Sequence, residues 1–278
     1  MVFLAGDAME NMPEPKPITG ADGNLLEPSP RAVHEPGDPG PRLDPRDQEL
    51  EHIRQDLRQF VHAASHDLQE PLRLVAGFAQ LLQNRYRGTL DSKADSYINT
   101  ITAEVGRMQA MLQGLTELSR VDSRGGSFVT TSLDDALDQS LLQLRAELRE
   151  TDARILREPL PTVQADPIQM VQLFRNLIGN ALRFRGETTP EIRIRAERRE
   201  KDWLVSVRDN GLGIPDRFAE RVFVVFQKLH PHGRHPGVGI GLTLGKRILE
   251  RHGGRIWVES GQSPGATLCF SLPDKDAR

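Results

Sequence analysis

A chain of 278 residues, 37% hydrophobic and 27% charged, is long enough for a real hydrophobic core and has the balance of a soluble, helix-rich protein. Its net charge of −3 and pI near 6.3 speak against nucleic acid or an anionic membrane as the main partner, because polyanion binders carry a basic excess. No run approaches the roughly 18 apolar residues that span a bilayer, and the opening MVFLAG is too short for a signal-peptide core, so a cytoplasmic location is expected.

Residues 1–46 are expected to form a disordered tail. The first 45 hold nine of the 19 prolines, and pieces such as PEPKP and EPGDPGP show no hydrophobic period. The functional alternative is a linker to a missing sensory domain. From about Asp47 to Arg87 the pattern is helical, with Val61, Leu68, Val75 and Leu82 every seven residues and Leu57, Ala64 and Phe78 interleaved. Gly88 to Asp91 break it, and a second helix carries Ile98, Val105 and Leu112 at one heptad position and Ile101, Met108 and Leu115 at the other. The expected product, over residues 47–123, is a helical hairpin that leaves an apolar stripe uncovered. Pairing with a second copy as a four-helix bundle, hence a homodimer, would cover it.

Past Gly125-Gly126 the character changes. Ser132-Leu-Asp-Asp135 starts a helix to about Glu150, and Asp166-Pro-Ile-Gln169 starts another, carrying Met170, Leu173, Phe174, Leu177 and Leu182. Strand-like alternation appears at 191–195, 203–207, 255–259 and 267–272, and a further helix is expected at 241–251. The single cysteine, Cys269, falls in the last of these strands. No intramolecular disulfide is possible, and a small core residue in a reducing compartment is the natural reading. The fold class is α+β: the hairpin, then an α/β sandwich over 124–273 with helices on one face of a sheet, and a short tail at 274–278.

Within the first helix, His66 falls at heptad position f if Val61 and Leu68 take a, facing away from the dimer core with Glu70 and Arg73 on the same face. A neutral imidazole is a competent nucleophile near pH 7, and Asp67 beside it can orient the ring and stabilise its proton. Pro71 should bend the helix just after it. His62 and His66 are i, i+4 neighbours, but no Glu follows His62 to complete the zinc motif His-Glu-x-x-His.

Two glycine-rich pieces suggest a phosphate ligand. Asp209-Asn-Gly211-Leu-Gly213-Ile214 ends a strand, and Gly237-Val-Gly239-Ile-Gly241-Leu242 leads into a helix whose N-terminus favours an anion. Neither fits the Gly-x4-Gly-Lys-Ser/Thr loop or Gly-x-Gly-x-x-Gly. Asn176, Asn180 and Arg183 share one helical face: an amide oxygen suits Mg²⁺, and a guanidinium can pair with phosphates. Residues 227–238 form a short expected lid with Lys228, His230, His232, Arg234 and His235.

In order, SHDLQEPL around His66, NLIGNAL around Asn180, DNGLGI, the stretch Phe223 to Phe226, GVGIGL and Gly265-Ala-Thr267 resemble the boxes of bacterial sensor histidine kinases. The resemblance covers about residues 50–273, and the spelling is similar to kinases of phytochrome-type and other soluble sensors. It implies a dimerisation hairpin followed by an ATP-binding sandwich of the gyrase, Hsp90 and histidine kinase superfamily. It implies autophosphorylation of His66 with ATP and Mg²⁺, then transfer to an aspartate on a response regulator receiver domain. By the same resemblance Asp209 accepts the adenine amino hydrogen, Gly211 and Gly213 pass close to the base, and Asn180 holds Mg²⁺. Gly237, Gly239 and Gly241 hinge the lid, Phe226 and Lys228 belong to the ATP site, the lid's basic residues contact phosphate, and Thr267 sits near adenine. The two domains must rotate together, so Ser119–Ser127 is an expected hinge. Whether ATP serves His66 of its own or the partner protomer is not decided by the sequence. Many family members carry Thr or Asn four residues after the histidine to position water for dephosphorylating the partner. Glu70 stands there, and an ionised carboxylate cannot donate that hydrogen bond. No sensory domain is visible in the sequence, so the signal would come from the tail, a separate protein or a region outside the chain.

Overall fold

A computed structural model describes residues 45–123, 125–229, 237–259 and 264–274. Of the tail expected at 1–46, Pro45 and Arg46 already belong to the first helix, while residues 1–44, like the histidines of the lid, lie outside the described residues. So do several side chains at the start of the first helix, those of His62 and His66 among them.

Two long helices open the chain. The first, α1 (Pro45–Tyr86), runs through Pro71, and the second, α2 (Ser92–Ser123), returns beside it. Gly88 takes a positive φ of 75° in the turn and donates its N–H to Asp95 Oδ2 at 3.1 Å. Asp91 caps α2 by accepting the Ala94 N–H at 2.7 Å. A hydrogen bond from Gln83 Nε2 to Asn99 Oδ1, 2.9 Å, fixes the antiparallel register. Few apolar positions of the hairpin are buried in the chain alone: Ala79, Ile98, Val105 and Val121 are, while Leu68, Val75, Phe78, Leu82, Ile101 and Met108 are exposed.

The remainder is a two-layer structure. In chain order it contains β1 (Val129–Ser132), α3 (Leu133–Gln143), α4 (Arg145–Glu150), β2 (Arg154–Arg157), β3 (Thr162–Ala165) and α5 (Pro167–Arg183). After these come β4 (Glu191–Arg198), β5 (Asp202–Asp209), two single-turn 3₁₀ helices, α6 (Gly241–Arg251), β6 (Arg255–Glu259) and β7 (Thr267–Pro273). Five strands form one sheet in the order β2-β4-β5-β7-β6, antiparallel except for the β2–β4 pair, while β1 and β3 pair separately. The strict alternation of β4 and β5 turns Ile192, Ile194, Val205 and Val207 to one side, where α3, α5 and α6 close the core. Helix α5 buries Met170, Leu173, Phe174, Leu177, Ile178 and Ala181 at spacings of three and four. Its start matches the sequence: Asp166 Oδ1 accepts from the N–H groups of Ile168 and Gln169, and Pro167 takes the first helical position.

Two expectations need correction. The helix expected from Ser132 to Glu150 is two helices, because Leu144 turns the backbone (φ −93°, ψ 11°) and buries its side chain, whereas α4 buries nothing. The short strands β1, β2 and β3 went unread. Each has four residues, too few for alternation to stand out.

Candidate active site

A cavity of about 450 Å³ lies between α5, the loop after β5, the start of α6 and Ala266 just before β7. Helix α5 delivers Asn176, Asn180 and Arg183 to it from one face, with Arg175 and Gly179 beside them. Asp209, Gly213 and Ile214 come from the end of β5 and its loop; Lys228 comes from the lid's first arm, and Gly237, Gly239, Gly241 and Leu242 from the second. The structure thus gathers most residues singled out in the sequence around one space.

Three of them stand outside the lining. Gly211 is buried in the loop, where the next N–H, of Leu212, donates to the Phe184 carbonyl at 2.9 Å. Phe226 takes φ 62°, uncommon for a residue with a side chain, and donates its N–H to the Gly239 carbonyl at 3.0 Å. That bond ties together the two described segments on either side of the expected lid. Gly239 has φ 76°, and a Cβ there would fall 2.6 Å from the Gln227 carbonyl, so the tie needs glycine. Thr267 is buried on β7 with Oγ1 unpartnered, beside Ala266, which does line the cavity.

Asp209 has two different oxygens. Oδ1 accepts the N–H of Gly211 at 2.8 Å and of Ala266 at 3.2 Å, while Oδ2 has no hydrogen-bond partner among the described residues. Desolvation raises this carboxyl above its ordinary range, and the two N–H groups pull it partly back. The result is a held carboxylate with one acceptor free at the cavity wall. Arg183 is exposed overall, yet its guanidinium lies over Gly237, and desolvation there lowers its pKa; a group that starts so high stays charged. Asn176 Nδ2 is buried without a partner. At the start of α6, Ile240 offers no side-chain cap, so the first-turn N–H groups remain free where Gly241 and Leu242 border the cavity.

Amide oxygens, an Arg and a Lys, and an uncapped helix N-terminus fit a nucleotide's phosphates with a magnesium ion, and Asp209 Oδ2 fits an exocyclic amine. No cluster of three His, Cys, Asp or Glu side chains suited to a metal occurs among the described residues, so any ion here would lean on amides, water and phosphate. Among residues the sequence reading missed, Arg175 and Gly179 follow from the helical face, and Leu212 and Ala266 sit inside the glycine motifs. Leu144 and Ala110 came with no local signal. Ala110 belongs to α2, so the hairpin supplies part of the cavity wall. His66 has helical backbone within α1, and Asp67, Glu70 and Arg73 are exposed around it.

Hairpin, sandwich and cavity together have the architecture of the histidine kinase class. The comparisons agree: residues 56–124 match the His Kinase A (phospho-acceptor) domain, and residues 165–276 match the histidine kinase-, DNA gyrase B-, and HSP90-like ATPase. The chain is 47% identical over 225 residues to cyanobacterial phytochrome A of Nostoc sp., covering 81% of this chain and 29% of the relative. It is 40% identical over 224 residues to phytochrome-like protein Cph1 of Synechocystis sp., covering 81% and 30%. Among solved structures, histidine kinase ThkA in complex with response regulator protein TrrA shares the fold at TM-score 0.58 and 24% identity, over 85% of this chain and 69% of that one. Full-length ShkA in complex with AMPPNP gives the same TM-score and identity, over 77% and 45%. The chain belongs to the sensor histidine kinase family, and it spans about three-tenths of the length of the phytochrome relatives. No described helix is long and apolar enough to cross a membrane.

Proposed function

We propose that the chain works as a homodimer that autophosphorylates on His66 from Mg-ATP held in the cavity and then transfers the phosphoryl group to an aspartate of a receiver domain. Residues 47–123 would carry the acceptor and the dimer contact, and 124–273 the nucleotide. The observation that carries this reading is Ala110 in the cavity wall. The register set by Gln83 and Asn99 puts His66 level with Thr116 to within a turn. The cavity abuts the hairpin about two helical turns along the axis from position 66, which supports its pairing with that acceptor.

The residues divide the work. Asp209 Oδ2 accepts the adenine amino hydrogen, and Ile214 and Leu242 flank the base. Asn180 with Asn176 presents amides to the metal-bound phosphates, Arg183 and Lys228 pair with phosphate oxygens, and the first turn of α6 donates N–H groups to them. Magnesium, when bound, neutralises charge on the phosphates during transfer. An imidazole nitrogen of His66 forms the bond to the γ-phosphorus as the bond to the ADP oxygen breaks, and Asp67 steadies the ring and its proton. The solved complex of ThkA with a response regulator supports a receiver domain as the next acceptor. The phytochrome relatives support an input region beyond the residues seen here.

Incubation with γ-labelled ATP and Mg²⁺ tests the reading. Acid-labile, base-stable label should appear on the wild type and fall by at least about 1,000-fold in His66→Gln, with nucleotide affinity unchanged. Equal labelling of both would remove His66 as the acceptor.

A further inference from the structure

The pair Gly125-Gly126 marks the break between hairpin and sandwich, and the nucleotide site uses neither residue. The structure gives them another occupant, the guanidinium of Arg251 at the end of α6. Its Nη2 donates to the Gly126 carbonyl at 2.8 Å, and its Nη1 donates to Gln169 Oε1 at 2.9 Å and lies 3.4 Å from Asp166 Oδ2. The same carboxylate oxygen accepts the Gly126 N–H. Phe128 covers the guanidinium with its ring, 4.7 Å from Cζ to the centroid. A Cβ at position 125 would fall 2.2 Å from Cζ, so only glycine leaves the slot open. Asp166 is nearly fully buried and already caps α5 through its other oxygen, which makes this a rigid anchor.

The clasp continues onto α2. Gln169, whose Oε1 takes Arg251, uses Nε2 to donate to the Val121 carbonyl at 2.9 Å, and Gln172 Nε2 donates to Glu117 Oε2 at 3.2 Å. Val121 itself is buried in the sandwich core. Within the segment 119–127 expected to be a hinge these contacts fall at Val121, Gly125 and Gly126, and none of the residues in them lines the cavity.

The held arrangement turns the cavity toward α2. Ala110 lies in its wall, Ile240 packs onto α2 at Gly114, and no described residue of α1 borders it. His66 belongs to α1, whose described residues stay outside the cavity wall, so the proposed transfer to it would take a rotation of the sandwich about the linker. We infer that Arg251 is a positioning residue whose clasp on Gly125–Phe128 holds the sandwich in a resting orientation, and that opening the clasp is a step of autophosphorylation. The inference rests on the proposed use of His66.

The test compares the full chain with Arg251→Met, Arg251→Lys and Gly125→Ala. Arg251→Met deletes the fork at similar bulk, and Gly125→Ala closes the slot from the other side. Both should leave affinity for a fluorescent ATP analogue unchanged and raise the labelling rate of His66 at saturating ATP about ten-fold, as for lost hydrogen bonds to a charged group. Arg251→Lys should fall between them and the wild type, and amide hydrogen exchange of residues 121–128 should quicken in the same order. Labelling that is unchanged or slower with nucleotide affinity intact overturns the inference, and so does loss of nucleotide binding in both variants. An unlabelled wild type marks failure of the autophosphorylation reading instead, whereas a labelled wild type with equal variants marks failure of the clasp alone.

Discussion

Phe78 in α1 and Phe174 in α5 are the same side chain in opposite circumstances. The first leaves 66% of its surface exposed and the second none. The contrast runs through the two regions that hold them. In the sandwich, three helices and a five-stranded sheet bury one another's apolar faces, and Phe174 meets Phe270 edge-on at 6.1 Å. In the hairpin, two helices share one seam, yet their apolar stripes are wider than the seam. Leu68, Val75 and Leu82 repeat every seven residues and lie exposed, as do Ile101 and Met108. A heptad stripe left open is the mark of a core completed by other helices. One region closes its core within the chain, and the other leaves its core open for a partner.

The largest expected effect comes from attacking the open stripe. Val75→Asp with Leu82→Asp would place like charges on the face proposed for the dimer. Lost burial of two aliphatic side chains on each protomer, at about 2 kcal/mol each, together with that repulsion, should weaken self-association by at least about 1,000-fold. Sedimentation equilibrium would read the dissociation, and nucleotide binding by the sandwich should survive it. A variant that stays dimeric would show that the stripe is not the interface, and one that loses nucleotide would show that the sandwich is not self-sufficient.

A second, smaller effect probes the closed region. In Asp209→Asn, an amide oxygen can still accept from Gly211 and Ala266, but an NH₂ replaces the free Oδ2 and would meet the proposed adenine amine donor to donor. Nucleotide affinity should drop about 100-fold, the cost of an unpaired buried polar contact. Stability should move the other way. Burial holds the Asp209 pKa above its unfolded value. The stabilising contribution is therefore complete below the ordinary Asp range and is lost as pH rises through the folded value. At neutral pH the ionised group opposes folding, so the melting temperature of Asp209→Asn at pH 7 should equal or exceed the wild type's. A lower value would mean that the charge itself holds the loop.

How far the sequence could be read follows the same division between the two regions. Hairpin and heptads were legible because long helices repeat a pattern many times, and α5 and α6 were legible from capping and glycine signals at their ends. Most of the cavity was legible too, since Asn176, Asn180 and Arg183 share a helical face and the glycine loops flag close backbone approach. The unread parts depend on tertiary placement. Ala110 is an ordinary helical alanine until α2 is laid beside the sandwich, and Leu144 is an ordinary leucine until the backbone turns there. Arg251 sits at a helix end where a basic residue is favoured for local reasons, and nothing nearby announces that it reaches 125 residues back to Gly126. Thr267 was expected near the base; its Oγ1 is buried and unpartnered one position beyond the lining.

The smallest expected effect, no change between monomer and dimer, uses Cys269 as a reporter of the sandwich alone. It lies on β7 between Ser206 of β5 and Trp257 of β6 and is buried. Desolvation, with Glu259 adding to it, pushes the thiol up to about 11. Only about one thiol in a thousand is then ionised at pH 8, against roughly a quarter in an unfolded chain, and the thiolate is the reactive form. Iodoacetamide should label the native protein at least about 100-fold more slowly than the denatured one. Stability linked to this thiol should be complete below its unfolded value and erode as pH climbs toward 11. The informative case is the Val75→Asp, Leu82→Asp protein. If the sandwich closes its own core, Cys269 is as slow in that monomer as in the dimer. Faster labelling there would mean that the open hairpin and the closed sandwich are not independent, and that completing the first core helps to hold the second.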